Sequence, residues 1–94
     1  MNKFKIGQTV MTYAIAEMMR IDKKFASFVN MSFNRYLNCD WGSMDDEDKA
    51  LNDAAVKNGD ERIHAAYIDS TGRKIWIITE WDRSVTTILF PSDY

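Results

Sequence analysis

The C-terminal third of the chain constrains the fold most, because it holds three segments rich in β-branched and aromatic residues that are separated by short turns. These segments are RIHAAYID (62–69), RKIWIITE (73–80) and SVTTILF (84–90). The intervening DSTG ends in a glycine that can take a positive φ, and WDR provides a second tight reversal. Because turns this short join antiparallel strands, the sequence predicts a three-stranded antiparallel meander.

The first 39 residues are predicted to form a short strand and two helices. Residues 9–12 favour a short strand, and residues 13–20 (YAIAEMMR) are mostly good helix formers. Asp22 is then a suitable N-cap for a second helix that runs to about Asn38, with apolar residues at helical spacing along it. Three methionines in this part of the chain suit a hydrophobic core and a homodimer interface equally well: Met18, Met19 and Met31.

A third helix is predicted to begin in the acidic run that follows. Ser43 is its expected N-cap, and Asp46 three residues later completes a near capping box, with aspartate where glutamate is usual. Gly59 comes after Asn58 and is a suitable C-terminal stop. The third helix is therefore expected to carry acidic side chains at its N-terminal end.

Length and composition indicate one domain. Ninety-four residues are too few for two hydrophobic cores, and 46% hydrophobic residues are enough to build one. We therefore expect a single α+β domain over residues 1–94, in which the mainly helical residues 1–61 pack on one face of the antiparallel meander of residues 62–94. The single cysteine, Cys39, excludes an internal disulfide and is typical of a reducing cytoplasm, and no apolar run predicts a membrane span or signal peptide.

The formal net charge of −2 hides a strong segregation of charge along the chain. Residues 1–39 carry six basic and two acidic side chains, whereas residues 40–61 carry two basic and eight acidic ones. Residues 62–94 carry four of each. This asymmetry permits pairing within the molecule, and it also permits the acidic segment to attract a basic partner.

A metal site is the first explanation for the acidic run. An EF-hand loop that begins at Asp46 would need glycine at its sixth position and glutamate at its twelfth, but these positions hold Leu51 and Lys57. One cysteine and one histidine in the whole chain are too few for a zinc site. We therefore predict no metal site and no cofactor.

Two explanations for the acidic run remain open, a helix start and a partner-binding face. The helix dipole stabilises a first-turn carboxylate by about 0.3–1 kcal/mol, which accounts for two of the four acidic residues 45–48 better than for all four. The excess predicts a negatively charged helix face, with Asp46 and Asp53 two turns apart, that binds a basic cleft. Trp41 and Trp81 lie near predicted turns and are either interface anchors or core residues. The predicted partner-binding residues are Asp45, Asp46, Glu47, Asp48, Asp53, Trp41 and Trp81.

Catalysis is not expected from this sequence. Cys39 and His64 are the only candidates for a thiol–imidazole pair, and no signature of a catalytic cysteine surrounds Cys39. Glu80 and Asp82, together with Arg83, offer ligands for a divalent ion, but they fall in a predicted hairpin turn where such residues are ordinary. We therefore predict a protein without catalytic residues.

Two long segments of the chain resemble a family of small proteins. FVNMSFNRYLNCDWGSMDDEDKALNDAAVKNGD and KIWIITEWDRSVTTILFPSDY are similar to proteins carried on plasmids, integrative elements and phages of Gram-positive bacteria, which are usually labelled plasmid-related or hypothetical. The resemblance covers roughly residues 25–94, and its last block is the more specific part. It implies an accessory protein of a mobile element in the cytoplasm of a bacterial host. Accessory proteins of this size and setting include inhibitors of type II CRISPR nucleases.

Three hypotheses of function follow from these observations. The favoured one is a non-catalytic anti-CRISPR inhibitor whose acidic helix competes with guide or target nucleic acid for the basic channel of an RNA-guided nuclease, without contacting a membrane. The alternative is a nucleic-acid-binding protein of plasmid maintenance that uses the basic N-terminal segment, including Lys23 and Lys24. A small metal-dependent nuclease built around Glu80 and Asp82 is the third.

Overall fold

The computed structural model of the protein describes residues 3–94. Along this part of the chain, a short strand and three helices precede three further strands and a terminal 3-10 turn. The elements are β1 (Gln8–Met11), α1 (Tyr13–Ile21), α2 (Lys23–Leu37), α3 (Asp46–Asn58), β2 (Ile63–Ile68), β3 (Lys74–Thr79), β4 (Val85–Leu89) and the 3-10 turn Pro91–Asp93. The predicted α+β fold class is confirmed.

The sheet has the strand order β1-β4-β3-β2, and its last three strands form the predicted antiparallel meander. The prediction of a purely antiparallel three-stranded sheet is wrong in one respect, because β1 joins the edge of the sheet parallel to β4. Backbone N–H groups of Gln8 and Thr12 donate to the carbonyls of Ser84 and Ile88. Gly7 permits this approach, since its φ is +63° and a Cβ there would lie 2.3 Å from the Ser84 carbonyl oxygen.

The residues that begin and end the helices match the predictions at Asp22 and Gly59 but not at Ser43. Asp22 is the N-cap of α2, as predicted, and its carboxylate accepts a hydrogen bond from the Phe25 N–H. The left-handed Gly59 ends α3, also as predicted. Ser43 is not the N-cap of α3, because its N–H and hydroxyl both donate to the Ala66 carbonyl and hold it beside β2. Asp45 takes the capping role instead.

The hydrophobic core lies between the sheet and the first two helices. The inward-facing residues of β2 alternate with outward-facing ones, as expected for a strand covered on one side. The core residues from α1 and α2 are Ile15, Phe25, Val29 and Tyr36, and those from the strands are Ile63, Ala65, Tyr67, Ile75, Ile77 and Ile88. Met18 and Met19 pack against this core, whereas Met31 is largely exposed. A homodimer stays a prediction.

The third helix is held at the edge of the sheet. Asn52 is buried in the middle of α3, and its side-chain amide donates to the carbonyl of His64 at 2.8 Å and accepts from the N–H of His64 at 3.2 Å. This amide occupies the hydrogen-bonding positions that a neighbouring strand would use on β2. No helix within residues 3–94 has the length and apolar character needed to cross a bilayer.

Candidate functional site

The four acidic residues at the start of α3 are all exposed to solvent. Asp45 is the N-cap, and its carboxylate accepts a hydrogen bond of 2.8 Å from the N–H of Asp48. Asp46, Glu47 and Asp48 form the first turn, where the helix dipole favours negative charge. One of the four carboxylates is therefore used to begin the helix, and three project from it.

The basic side chains of the N-terminal half that the structure describes form no ion pair with these carboxylates. The ion pairs within residues 3–94 join Arg20 to Glu17, Arg35 to Asp40, and Arg73 to both Asp22 and Asp69. None of them involves residues 45–48 or Asp53. The segregation of charge permitted either ion pairs within the molecule or attraction of a basic partner. Within the described residues, Asp40 forms such an ion pair, whereas the carboxylates of α3 do not.

Trp41 lies in the core and is not available to a partner. Its side chain is 3% exposed, and its ring packs against those of Phe4 and Tyr36. The indole Nε1 donates to Oδ1 of Asp53 at 2.9 Å. The prediction that Trp41 anchors a partner is therefore wrong, because the loop folds back and uses the ring to fix α3 to α2. Asp53 remains exposed although one of its oxygens accepts this bond.

Trp81 is 64% exposed at the tip of the β3–β4 turn and lies near the C-terminal end of α3. The guanidinium of Arg83 connects the two, since it donates to the carbonyls of Trp81, of Ala55 at 2.9 Å and of Glu61 at 2.7 Å. Ala55 lies nine residues after Asp46, so with about 1.5 Å of rise per residue this attachment is ~14 Å along the axis from the start of the acidic first turn. The structure therefore divides the predicted residues between the two ends of α3.

The side chains that hold α3 in place were not predicted from the sequence. Asn52 and Arg83 bond backbone groups that are distant in the sequence, and Arg83 takes a φ of +60° to do so. A cation that donates to a carbonyl in the last turn of a helix also interacts favourably with its dipole. The only local signal for Asn52 is an amide on the apolar side of a helix. For Arg83 no local signal exists, because the two carbonyls that tie it to α3 and to Glu61 are 28 and 22 residues away.

Cys39 and His64, the two residues considered for catalysis, are both partly buried in the fold. Cys39 follows α2 in a left-handed conformation, and burial raises the pKa of its thiol. The imidazole of His64 packs edge-on against Trp76, with ring centroids 4.6 Å apart, and its Nε2 is buried without a hydrogen-bond partner among residues 3–94. Burial, reinforced by Arg62, lowers the pKa of His64, which keeps the ring neutral at pH 7.

The residues considered for a divalent ion belong to the β3–β4 turn. The carboxylate of Asp82 accepts hydrogen bonds from the N–H and hydroxyl of Ser84, and the guanidinium of Arg83 faces backbone carbonyls. Within residues 3–94, no three histidine, cysteine, aspartate or glutamate side chains come together in one cluster.

Comparison of the chain with known protein families, with curated proteins and with solved structures finds no match.

Proposed function

We propose that the protein is a non-catalytic inhibitor that uses the acidic end of α3 to occupy a basic, nucleic-acid-binding surface of another protein. The observation that carries this proposal is the set of exposed carboxylates at residues 45–48 and 53, none of which is paired with a cation within residues 3–94. Unpaired charges that share one sign produce a field that steers a partner of opposite charge.

The spacing of the carboxylates supports mimicry of a nucleic-acid backbone. Asp46 and Asp53 are seven residues apart, so they lie on the same flank of α3 and are separated by ~10 Å along its axis. One strand of a duplex carries a phosphate about every 3.4 Å along its axis. The flank therefore spans about three phosphates, which suits a channel that binds a backbone without reading its sequence.

The rigid attachment of α3 also supports a docking role. Asn52 bonds the helix to β2, Asp53 bonds it to Trp41, and Arg83 bonds its last turn to the β3–β4 turn. A surface that is already ordered loses little conformational entropy when it binds. The helix can therefore present its charges to a partner without first being ordered by that partner.

We infer the class of partner from the resemblance to small proteins of Gram-positive mobile elements. An RNA-guided nuclease of the type II CRISPR class has a positively charged channel for its heteroduplex. An accessory protein of a mobile element benefits the element when it blocks such a nuclease. The inhibitor would then compete with guide or target nucleic acid, and it would work in the cytoplasm of the bacterial host.

A pull-down of the purified protein with a type II CRISPR nuclease tests this proposal. We expect capture at low salt, weaker capture at high salt, and loss of capture when the channel is preloaded with guide RNA. The variant to compare is Asp46→Lys with Glu47→Lys, because both side chains are exposed and neither caps the helix. Asp53 is left intact, since it also holds Trp41.

A matched control separates a specific site from net charge. Asp60→Lys with Glu61→Lys makes the same change in net charge beyond the other end of α3. We expect the control to retain capture and the Asp46, Glu47 variant to lose it. Equal behaviour of the two variants, or no capture in any condition, would contradict the proposed mechanism.

Nucleic-acid binding by the basic N-terminal half is the second candidate. Lys23 and Lys24 are exposed at the start of α2 and form no ion pair within residues 3–94. Under this alternative, Lys23→Glu with Lys24→Glu abolishes binding to an oligonucleotide in a mobility-shift assay, and the charge reversals on α3 leave that binding unchanged.

A further inference from the structure

A groove of about 520 Å³ runs between the outer side of α2 and the β2–β3 turn. This volume falls within the range of roughly 300–1,000 Å³ that is typical of ligand sites. One wall is a stripe of α2 residues three or four positions apart, which includes Lys24, Phe28, Met31 and Arg35. The other wall comes from the turn and contains Ile68 and Arg73. Neither wall contains a residue of α3.

The middle of the groove is apolar and open to solvent. Met31 is 66% exposed and Ile68 is 50% exposed, and the half-buried ring of Phe28 lies between the polar ends of the stripe. Single exposed apolar residues are common on protein surfaces, but clustered ones that line a cavity are typical of binding surfaces. Methionine in particular adapts its shape to different partners.

Cations lie at both ends of the groove. Lys24 is near the beginning of α2 and Arg35 is near its end, so they are ~16 Å apart along the helix. Lys24 forms no ion pair within residues 3–94. Arg35 pairs with Asp40 outside the groove, but its side chain remains 48% exposed. The Lys24 end therefore carries an unpaired cation, and the Arg35 end offers the Nη1 group of a guanidinium whose Nε and Nη2 are bonded to Asp40.

The acidic residues of the groove are already neutralised by Arg73. Its guanidinium bonds Asp22 at 3.0 Å and Asp69 at 2.8 Å, and it stacks over the ring of Phe25. Although desolvation acts in the opposite direction, hydrogen bonds from Thr71 and Arg73 lower the pKa of Asp69 to about 2. These bonds also order the turn before any ligand arrives, which reduces the entropy that binding would cost.

We propose that this groove binds an acidic peptide of a partner protein, with apolar side chains in the middle and carboxylates near both ends. The apolar middle suits the side chains, and Lys24 and Arg35 suit the flanking carboxylates. A helix of about 11 residues has the length of the groove, and docking of its apolar face would follow a known mode of peptide recognition. A nucleic acid fits less well, because the middle is apolar and Arg73 is occupied by carboxylates.

This inference is independent of the function proposed for α3. The two surfaces share no residue, and they attract groups of opposite charge. Failure of one proposal does not contradict the other, because the variants that test them change different surfaces.

An NMR titration of the isotope-labelled full chain tests the proposal. The probe is a synthetic amphipathic peptide of about 12 residues, with glutamate and aspartate at its ends and leucine or phenylalanine at helical spacing between them. A twin peptide with lysine in place of the acidic residues and a single-stranded oligonucleotide serve as comparisons. We expect shifts in α2 and residues 68–73 with the acidic peptide, and binding at least about tenfold weaker with the twin peptide and the oligonucleotide.

Two groove variants and two matched controls locate the site. Met31→Asp should weaken binding about tenfold or more, and Lys24→Glu should weaken it several-fold. The controls are Ile21→Asp, at an exposed apolar position outside the groove, and Lys5→Glu, which makes the same charge change at an exposed position before β1 that does not line the groove. Both controls should bind as the parent does. Should Met31→Asp fail to fold, Ile68→Asp on the opposite wall replaces it.

Several results would overturn the proposal. They are the absence of shifts at high peptide concentration, shifts centred on α3 or β1, equal binding of the basic peptide, and tighter binding of the oligonucleotide. Self-association that Met31→Asp abolishes would place a second copy of this chain in the groove, and it would overturn the proposal as well.

Discussion

Three buried hydroxyl groups form a hydrogen-bonded chain whose direction the structure determines. The Tyr36 hydroxyl is 2.6 Å from Oγ1 of Thr79, which is 2.7 Å from Oγ1 of Thr86. Thr86 donates its only hydroxyl proton to the Ile6 carbonyl at 2.7 Å. Because a hydroxyl has one proton, Thr79 must donate to Thr86, and Tyr36 must donate to Thr79. This series of hydrogen bonds thus runs from α2 through β3 and β4 to the segment before β1.

This direction predicts that removing the first hydroxyl of the hydrogen-bonded series, at Tyr36, and removing the last, at Thr86, lower the free energy of unfolding by unequal amounts. Thr86→Val keeps the shape of the side chain, but the hydroxyl proton of Thr79 loses its acceptor and the Ile6 carbonyl loses its donor. An unpaired buried group costs about 1–3 kcal/mol and the part-buried Ile6 carbonyl costs less, so we expect the free energy of unfolding to fall by roughly 2–4 kcal/mol. Tyr36→Phe removes a donor and leaves every remaining proton with an acceptor, so its hydrogen-bonding loss should be about 0.5–1.5 kcal/mol.

Urea and thermal unfolding followed by circular dichroism measure both losses. A loss of 1 kcal/mol corresponds to a change in Tm of about 4–8 °C for a domain of this size. Thr87→Val is the matched control, since Thr87 is the next residue in β4 and its side chain forms no hydrogen bond within residues 3–94. If Tyr36→Phe costs as much as Thr86→Val, or if the Thr87 control costs as much as either, the reasoning from proton direction is wrong.

Two further predictions concern the groups that surround α3. The lowered pKa of His64 means that the folded state binds a proton less readily than the unfolded state, so stability should be complete above about pH 6.5 and decline as the pH falls below it. Thermal melts across this range should show the decline, and His64→Gln should remove it; an unchanged profile in that variant would assign the decline to other groups. Arg83→Gln should destabilise the protein by about 1–3 kcal/mol, because the carbonyls of Ala55 and Glu61 lose their donor. Hydrogen exchange should then quicken in the last turn of α3, and uniform quickening over the whole domain would contradict a local role.

The local features of the fold could be predicted from the sequence because their signals lie within a few residues. Asp22 caps a helix through the N–H of Phe25, and Gly59 ends one by taking a left-handed conformation. The β2–β3 turn has the glycine that its geometry requires, at a φ of +90°. Each of these features depends on neighbours in the chain, so composition and spacing were sufficient to find it.

The features that the sequence did not predict depend on residues far along the chain. The strand β1 has only four residues, and its parallel partner is separated from it by three helices, so no local pattern specifies the pairing. Ser43 loses the capping role to Asp45 because Ala66 offers its hydroxyl a carbonyl 23 residues away. Trp41 is buried for a similar reason, since Asp53 accepts its indole N–H.

The two proposed surfaces should respond to salt in different ways, and this difference allows both to be examined in one protein. The carboxylates at the start of α3 are exposed, and at physiological ionic strength charges are screened over about 8 Å. Binding through them should therefore weaken steeply as salt is added. The groove on α2 would bury apolar side chains of its ligand, and salt does not weaken that contribution. Binding there should lose only the part that Lys24 and Arg35 contribute, so a salt series on one sample distinguishes the two modes.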